Sequence, residues 1–215
     1  MKRIYLFFIV LWMCYCSQEK NRNIVHNVET PVFVEKKPEA DLSKTKIKAE
    51  EALKFCDSKN LSKDFCILID MSLHSGVKRF FVWDFKNKKV SKEYLVGHGC
   101  GSNSWSKDDS KANPGFSNED RSHLSSLEKY KLEGRGYSDW GINVKYLMHG
   151  LDETNSNALK RFIVLHSWDL MSDEEVFPDG SPEGWGCPTV SNNAMREIDP
   201  MIQKSGKPVL MWIYN

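Results

Sequence analysis

His166 and Cys187 are the two side chains whose neighbours best equip them for chemistry. Phe162-Ile163-Val164-Leu165 is an apolar run that predicts a buried strand, and His166 closes it, where a loop leaves the imidazole facing a cleft. Cys187 follows 21 residues later, within Gly184-Trp185-Gly186-Cys187-Pro188-Thr189-Val190. A nucleophilic cysteine needs a base or cation beside its thiol, and backbone N–H groups aimed at the oxyanion it creates. Gly186 lets the chain turn tightly enough to present such groups, and Pro188 fixes the backbone just after them. Most arbitrary Cys and His pairs never meet; the residues around Cys187 reverse that expectation and point to acyl transfer through a thioester.

Other chemistries find less support. Papain-like and NlpC/P60-type peptidases place Cys before His, the reverse of the order here. The sequence contains no His-Glu-x-x-His, paired Cys-x-x-Cys or complete Gly-x-Gly-x-x-Gly, and His26, His74, His123 and His149 lack metal-ligand spacing. Neither a metal nor another cofactor is expected. Gly97-His98-Gly99-Cys100-Gly101 reads as a flexible cleft wall after a strand, which makes His98 and Gly99 candidates for a substrate groove. Between His166 and Cys187 lie Asp169, Asp173, Glu174, Glu175, Asp179 and Glu183, with no Lys or Arg. Such a run is usually a solvated face. Its functional reading is a field that draws a substrate ammonium, with Asp173, Glu174 and Glu175 as the binding candidates.

These residues need a scaffold, and the pattern predicts a mainly β, α+β domain with a few packed helices. Strands are expected at Phe65–Met71, Lys78–Phe85, Val90–Gly97, Ile142–Met148, Phe162–His166 and Pro208–Tyr214. Arg79–Phe85 is apolar on both faces and should be central. Ala49, Ala52, Leu53 and Cys56 recur at helical spacing, Asn155–Arg161 suggests a short helix, and another begins near Ser191. Residues 98–140, rich in Gly, Ser and Asn, read as long loops.

The amino terminus reads as an address. Lys2 and Arg3 precede a 13-residue apolar run, Ile4 to Cys16, too short for the roughly 20 residues of a membrane span and suited to a secretory signal. Its closing Cys16, followed by Ser17 and Gln18, resembles a lipoprotein attachment point, implying an exported, membrane-anchored protein of the cell envelope. Residues 17–45 have the mixed charge and prolines of a tether, leaving 46–215 as the catalytic domain. Export exposes Cys56, Cys66, Cys100 and Cys187 to an oxidising compartment, where Cys100 is a possible disulfide partner for Cys56 or Cys66. Thirty basic residues against 29 acidic ones, net charge +1, provide no bulk field for nucleic acid.

From Phe65 to Tyr214 the chain resembles the L,D-transpeptidase catalytic domain, YkuD-like, in its murein L,D-transpeptidase branch. The resemblance rests on His98-Gly99, Phe116-Ser117-Asn118, Ser125-Ser126-Leu127, Gly150-Leu151-Asp152, the Asn155 and Arg161 pair, the strand-end His166 and Gly186-Cys187-Pro188, all in collinear order. It implies a β-sandwich or barrel and peptidoglycan stem peptides as partners. Cys187 would be the acylated nucleophile and His166 its base, with the backbone carbonyl of Ser167 orienting the imidazole. The N–H groups of Gly186 and Cys187, with Trp185, would form the oxyanion hole. Gly184 departs from the family, which has Ser or Thr three residues before the cysteine. That departure suggests a weakly active murein-binding lipoprotein as one alternative; a hydrolase on the same scaffold, differing only in the acceptor that reaches the acyl-enzyme, is the other.

Overall fold

The computed structural model describes residues 36–215. Helix α1 (Leu42–Ser58) starts where Asp41 can cap it: the Asp41 carboxylate accepts from the N–H groups of Ser43 (2.8 Å) and Lys44 (3.3 Å). This satisfies donors that a helix start otherwise leaves open. Residues 42–45, expected to end a tether, therefore form the first turn of α1, and Thr45 is buried. The expected signal and Cys16 lie outside the described residues.

Eight strands form one sheet: β1 (Phe65–Asp70), β2 (Phe80–Asp84), β3 (Lys89–Tyr94), β4 (Glu128–Tyr137), β5 (Val144–Gly150), β6 (Val164–Ser167), β7 (Thr189–Val190) and β8 (Val209–Tyr214). Their spatial order is β3-β2-β1-β8-β4-β5-β6-β7. The two ends of the sheet meet just past β3, where the Gly97 N–H donates to the Thr189 carbonyl of β7 at 2.9 Å. The result is a nearly closed barrel. A Cβ at position 97 would sit 2.4 Å from Thr189 Oγ1, so glycine is what permits the closure.

Side-chain parity explains the apolar runs. In β1, Phe65, Ile67 and Ile69 enter one core cluster, while Cys66 and Leu68 enter a second under α1. In β8, Val209, Met211 and Ile213 join the first cluster, and Leu210, Trp212 and Tyr214 the second. Both strands are thus buried on both faces and read as continuous hydrophobic segments. Each large side chain so buried contributes roughly 1.5–3 kcal/mol relative to exposure. Helix α2 (Asn192–Lys204) closes the first cluster with Ala194, Met195, Ile198 and Ile202.

Three expectations need correction. β2 is covered on both faces but lies second from the edge, and β8 and β4 occupy the middle. Residues 98–140 are not all loop, because β4 runs through Glu128–Tyr137 with Tyr130 and Leu132 buried. The β4–β5 pairing shifts register around Gly134, whose φ is +71°; this bulge interrupts the alternation that would have revealed the strand. The helix expected at Asn155–Arg161 is instead a 3-10 turn, Glu153–Asn155, followed by turns. Asn155 is buried, and its amide donates to the carbonyls of Leu127 (3.0 Å) and Lys129 (2.9 Å), which holds the turn against β4.

Candidate active site

His166 lies in β6, paired with Lys145 of β5 on one side and Thr189 of β7 on the other. Its Nδ1 is 2.9 Å from the Ser167 carbonyl oxygen. A carbonyl only accepts, so Nδ1 carries the proton and Nε2 is left with its lone pair. Burial pulls the imidazole below its ordinary pKa despite that bond, which favours the neutral ring. Ser167 is itself fixed: its hydroxyl accepts from the Ile142 N–H at 3.0 Å. Gly141 passes so close that a Cβ there would meet Ser167 Oγ at 2.1 Å.

Cys187 is half-buried and lines the same cavity as His166, about 360 Å³ in volume. The Val164 N–H donates to its Sγ at 3.4 Å. Burial raises the thiol pKa, while the Val164 N–H and the charges of Arg161 and Lys145 oppose the rise. Among the described residues none accepts a hydrogen bond from the N–H of Trp185, Gly186 or Cys187, which leaves all three free for a ligand oxygen. Gly186 has φ +101°, and a Cβ there would approach the Leu124 carbonyl to 2.6 Å. Glycine is required on both counts.

Two residues whose roles the sequence did not disclose hold this turn in place, and a third, Lys145, lines the cavity beside it. Ser125 Oγ accepts from the Gly99 N–H and donates to the Gly186 carbonyl, both at 3.1 Å, and Ser125 is buried. The Arg161 guanidinium donates to the carbonyls of Ser117 (2.8 Å) and Leu124 (2.5 Å) and the hydroxyl of Ser126 (2.7 Å), so one cation organises the segment facing Gly186. Lys145 adds a second cation to the cavity wall. The only prior signals were the Ser-Ser-Leu stretch and the Asn155 and Arg161 pair. Gly184 also lines the cavity, and nothing lies within 4 Å of where its Cβ would be.

His98 and Gly99 are not in the cleft. His98 is fully buried. Its Nδ1 faces Arg79 Nη2 at 2.8 Å and its Nε2 faces Ser110 Oγ at 3.0 Å. Because a guanidinium only donates, the proton sits on Nε2 and points toward Ser110 and Glu183. Glu183, which burial alone would make a weaker acid, is held below its ordinary pKa by His98 and by the N–H and hydroxyl of Ser110. This network lies beneath the loop that leads to Cys187, since the Gly184 N–H donates to the His98 carbonyl at 2.8 Å. Gly99 pairs with Gly184 in the same layer.

The acidic loop does not reach the cleft either. Asp173 accepts from the hydroxyl of Ser191, the N-cap of α2, and from the Asn193 amide, so it anchors that helix start. Glu175 takes the Lys78 N–H at 2.8 Å and pairs with Lys37. Glu174 is exposed, and none of the three lines the cavity. The cavity walls carry Arg161, Lys145 and Asp139 instead. Cys56, Cys66 and Cys100 are buried free thiols, not disulfides; burial pushes Cys56 up to about 12 and raises Cys66 and Cys100 as well. No group of three or more His, Cys, Asp or Glu among the described residues is arranged to hold a metal.

The chain is similar to several solved structures. Bd1075 of Bdellovibrio bacteriovorus aligns over 73% of this chain and 49% of its own, with 18% identity and a TM-score of 0.41. Pgp2 of Campylobacter jejuni, a helical cell shape determining protein, aligns over 79% and 56%, with 12% identity and a TM-score of 0.44. The Ldtfm-avibactam carbamoyl enzyme aligns over 71% and 49%, with 13% identity and a TM-score of 0.39. The chain thus covers about half the length of these structures. No curated protein matches it. The family model for the L,D-transpeptidase catalytic domain matches residues 36–214, nearly the whole described domain with both His166 and Cys187 inside it, and the chain belongs to that family.

Proposed function

We propose that the protein is a peptidoglycan L,D-transpeptidase working through a cysteine acyl-enzyme. The observation that carries this reading is the shared cavity of Cys187 and His166, with the imidazole oriented by the Ser167 carbonyl and unpaired N–H groups beside the sulfur. Cys187 Sγ attacks the carbonyl carbon at the L-centre of a stem diamino acid while its proton passes to His166 Nε2. The oxyanion takes hydrogen bonds from the N–H groups of Gly186 and Cys187. As the tetrahedral species collapses, the C–N bond breaks and His166 returns the proton to the departing amine of the terminal D-residue. An acceptor amine then gives its proton to Nε2, attacks the thioester and releases the thiolate, which is reprotonated.

Hydrolysis is the second reading, in which water replaces the amine. It is supported by the open side of the cavity at Gly184, where no side chain shields the acyl group. Mass spectrometry of muropeptides incubated with the protein separates the two, as crosslinked or trimmed product. Cys187→Ala should reduce either activity by at least about 10³-fold, and Cys100→Ala should keep most of it. Comparable turnover by Cys187→Ala excludes the mechanism. Export and lipid attachment at Cys16 belong to the same proposal, and metabolic lipid labelling tests them.

A further inference from the structure

The wall of the cavity is built from four tryptophans that the acyl-transfer steps do not use. Trp105 sits at the centre, its ring centroid 5.2 Å from that of Trp168 and 6.2 Å from those of Trp140 and Trp185. They come from four separate segments: the loop after Cys100, the β4–β5 turn, the end of β6 and the loop before Cys187. The other two tryptophans among the described residues are buried, Trp83 at 6% exposure and Trp212 at 8%. Here only Trp168 is buried, and Trp105, Trp140 and Trp185 are 43%, 46% and 61% exposed around one cavity. Adjacent exposed apolar faces of this size mark a surface that something covers.

The spacing selects what that is. A ligand held between two rings needs them about 7–8 Å apart, twice the usual carbon contact distance. Rings at 5.2–6.2 Å are in contact with one another, so they form a continuous surface and not a cage for an ammonium group. Lys145 and Arg161 in the same cavity also oppose a cation. A stem peptide has carboxylates that suit those two cations, and it has no flat apolar ring to lie on the indoles. A pyranose ring has an apolar C–H face that lies flat on indole and a polar rim that can reach Ser138, Asp139 and Lys145.

We propose that Trp105, Trp140 and Trp185 form a platform for a hexosamine ring of the glycan strand, so that the site takes glycan-linked stems in preference to free ones. The proposal rests on the peptidoglycan reading above and names which part of that polymer the wall contacts.

Binding tests it apart from turnover. Full-length protein carrying Cys187→Ala is titrated by calorimetry with three probes: the peptide-free disaccharide of the strand, the free tetrapeptide stem, and the disaccharide-linked stem. The linked stem should bind about tenfold tighter than the free one. Adding Trp140→Ala should abolish that advantage and the binding of the peptide-free disaccharide while leaving the free stem unchanged; Trp140→Phe should restore part of it. A thermal unfolding midpoint of the Trp140→Ala variant close to that of its parent shows that the fold is intact. Equal binding of linked and free stems, absence of disaccharide binding, or equal weakening of both stems by Trp140→Ala would each overturn the platform. A wild type that binds glycan through Trp140 yet turns over no muropeptide would reject the transpeptidase reading and keep the platform.

Discussion

His166 Nδ1 donates to the carbonyl oxygen of Ser167 at 2.9 Å, so the imidazole is oriented by its own backbone neighbour and not by a carboxylate. A carboxylate would stabilise an imidazolium strongly; a neutral carbonyl does so weakly. Burial shifts the Cys187 thiol upward and the His166 imidazole downward. The resting pair is therefore thiol and neutral imidazole.

That assignment predicts the pH behaviour. His166 must be neutral to accept the thiol proton, and its lowered pKa means it protonates only below its ordinary 6.5. The acid limb of kcat/KM should fall below that value, with activity retained through neutral pH. Ultraviolet difference spectra against Cys187→Ala at pH 7 should show no thiolate. A thiolate signal that persists into mild acid would mean a preformed ion pair and contradict the assignment.

Ser125 links Gly99 to Gly186 through one buried hydroxyl. Ser125→Ala leaves the Gly99 N–H and the Gly186 carbonyl without that partner, at a cost of about 1–3 kcal/mol. Chemical denaturation should show the loss. In the proposed mechanism the Gly186 N–H is an oxyanion donor, so kcat should fall more than KM rises. A destabilised variant with unchanged kcat would make Ser125 structural only.

Gly184→Ser restores the hydroxyl that the family has three residues before the cysteine. Its Cβ would enter open space, and its φ lies outside the left-handed region, so stability should change by less than about 0.5 kcal/mol. One new hydrogen bond to the developing thiolate, at about 0.5–1.5 kcal/mol, should raise the rate of Cys187 acylation roughly 2- to 13-fold. Stopped-flow acylation by a β-lactam-type electrophile measures it, and a slower variant would show that the open space at Gly184 serves the substrate.

Much of the frame was legible because local chemistry and fold agree there. The strand ending in His166 and the Gly186-Cys187-Pro188 turn announce themselves by apolar pattern and backbone requirement. β4 was not legible, because Gly134 and Gly136 interrupt an alternation already thin in apolar residues. The start of α1 was readable in Asp41-Leu42-Ser43-Lys44 as a cap, but the prolines and charges before it suggested a tether. His98 and the Asp173 to Glu175 run misled for one reason: sequence shows which residues could face a cleft, whereas tertiary pairing decides whether they do. Arg79 and Ser110 claim His98, and Ser191, Asn193, Lys78 and Lys37 claim the acids. The tryptophan wall could not be seen at all, since its four members are brought together only by closure of the barrel.

Asp199 joins β4, β5 and α2 through one carboxylate. Arg135 donates to both its oxygens, at 2.8 and 2.9 Å, Tyr146 donates its hydroxyl at 2.6 Å and Gln203 its amide at 3.0 Å. The Arg135 bond, then those from Tyr146 and Gln203, hold the Asp199 carboxyl below its ordinary 3.8 against the opposing effect of burial. A carboxyl whose folded pKa is depressed stabilises the fold above its unfolded pKa and loses that contribution as pH falls through the folded value. Asp199→Asn keeps the shape and removes the charge. It should cost about 1–2 kcal/mol at pH 7, toward the lower end because the Arg135 side chain is 44% exposed and water screens the pair. The difference from wild type should stay constant from pH 7 down to about 5 and shrink below 3.8, where the unfolded carboxyl takes up a proton that the folded one still resists. Urea denaturation of both proteins at pH 7 and pH 3 measures it. A difference of the same size at both pH values would show that Asp199 acts through packing and hydrogen-bond geometry, not through its charge.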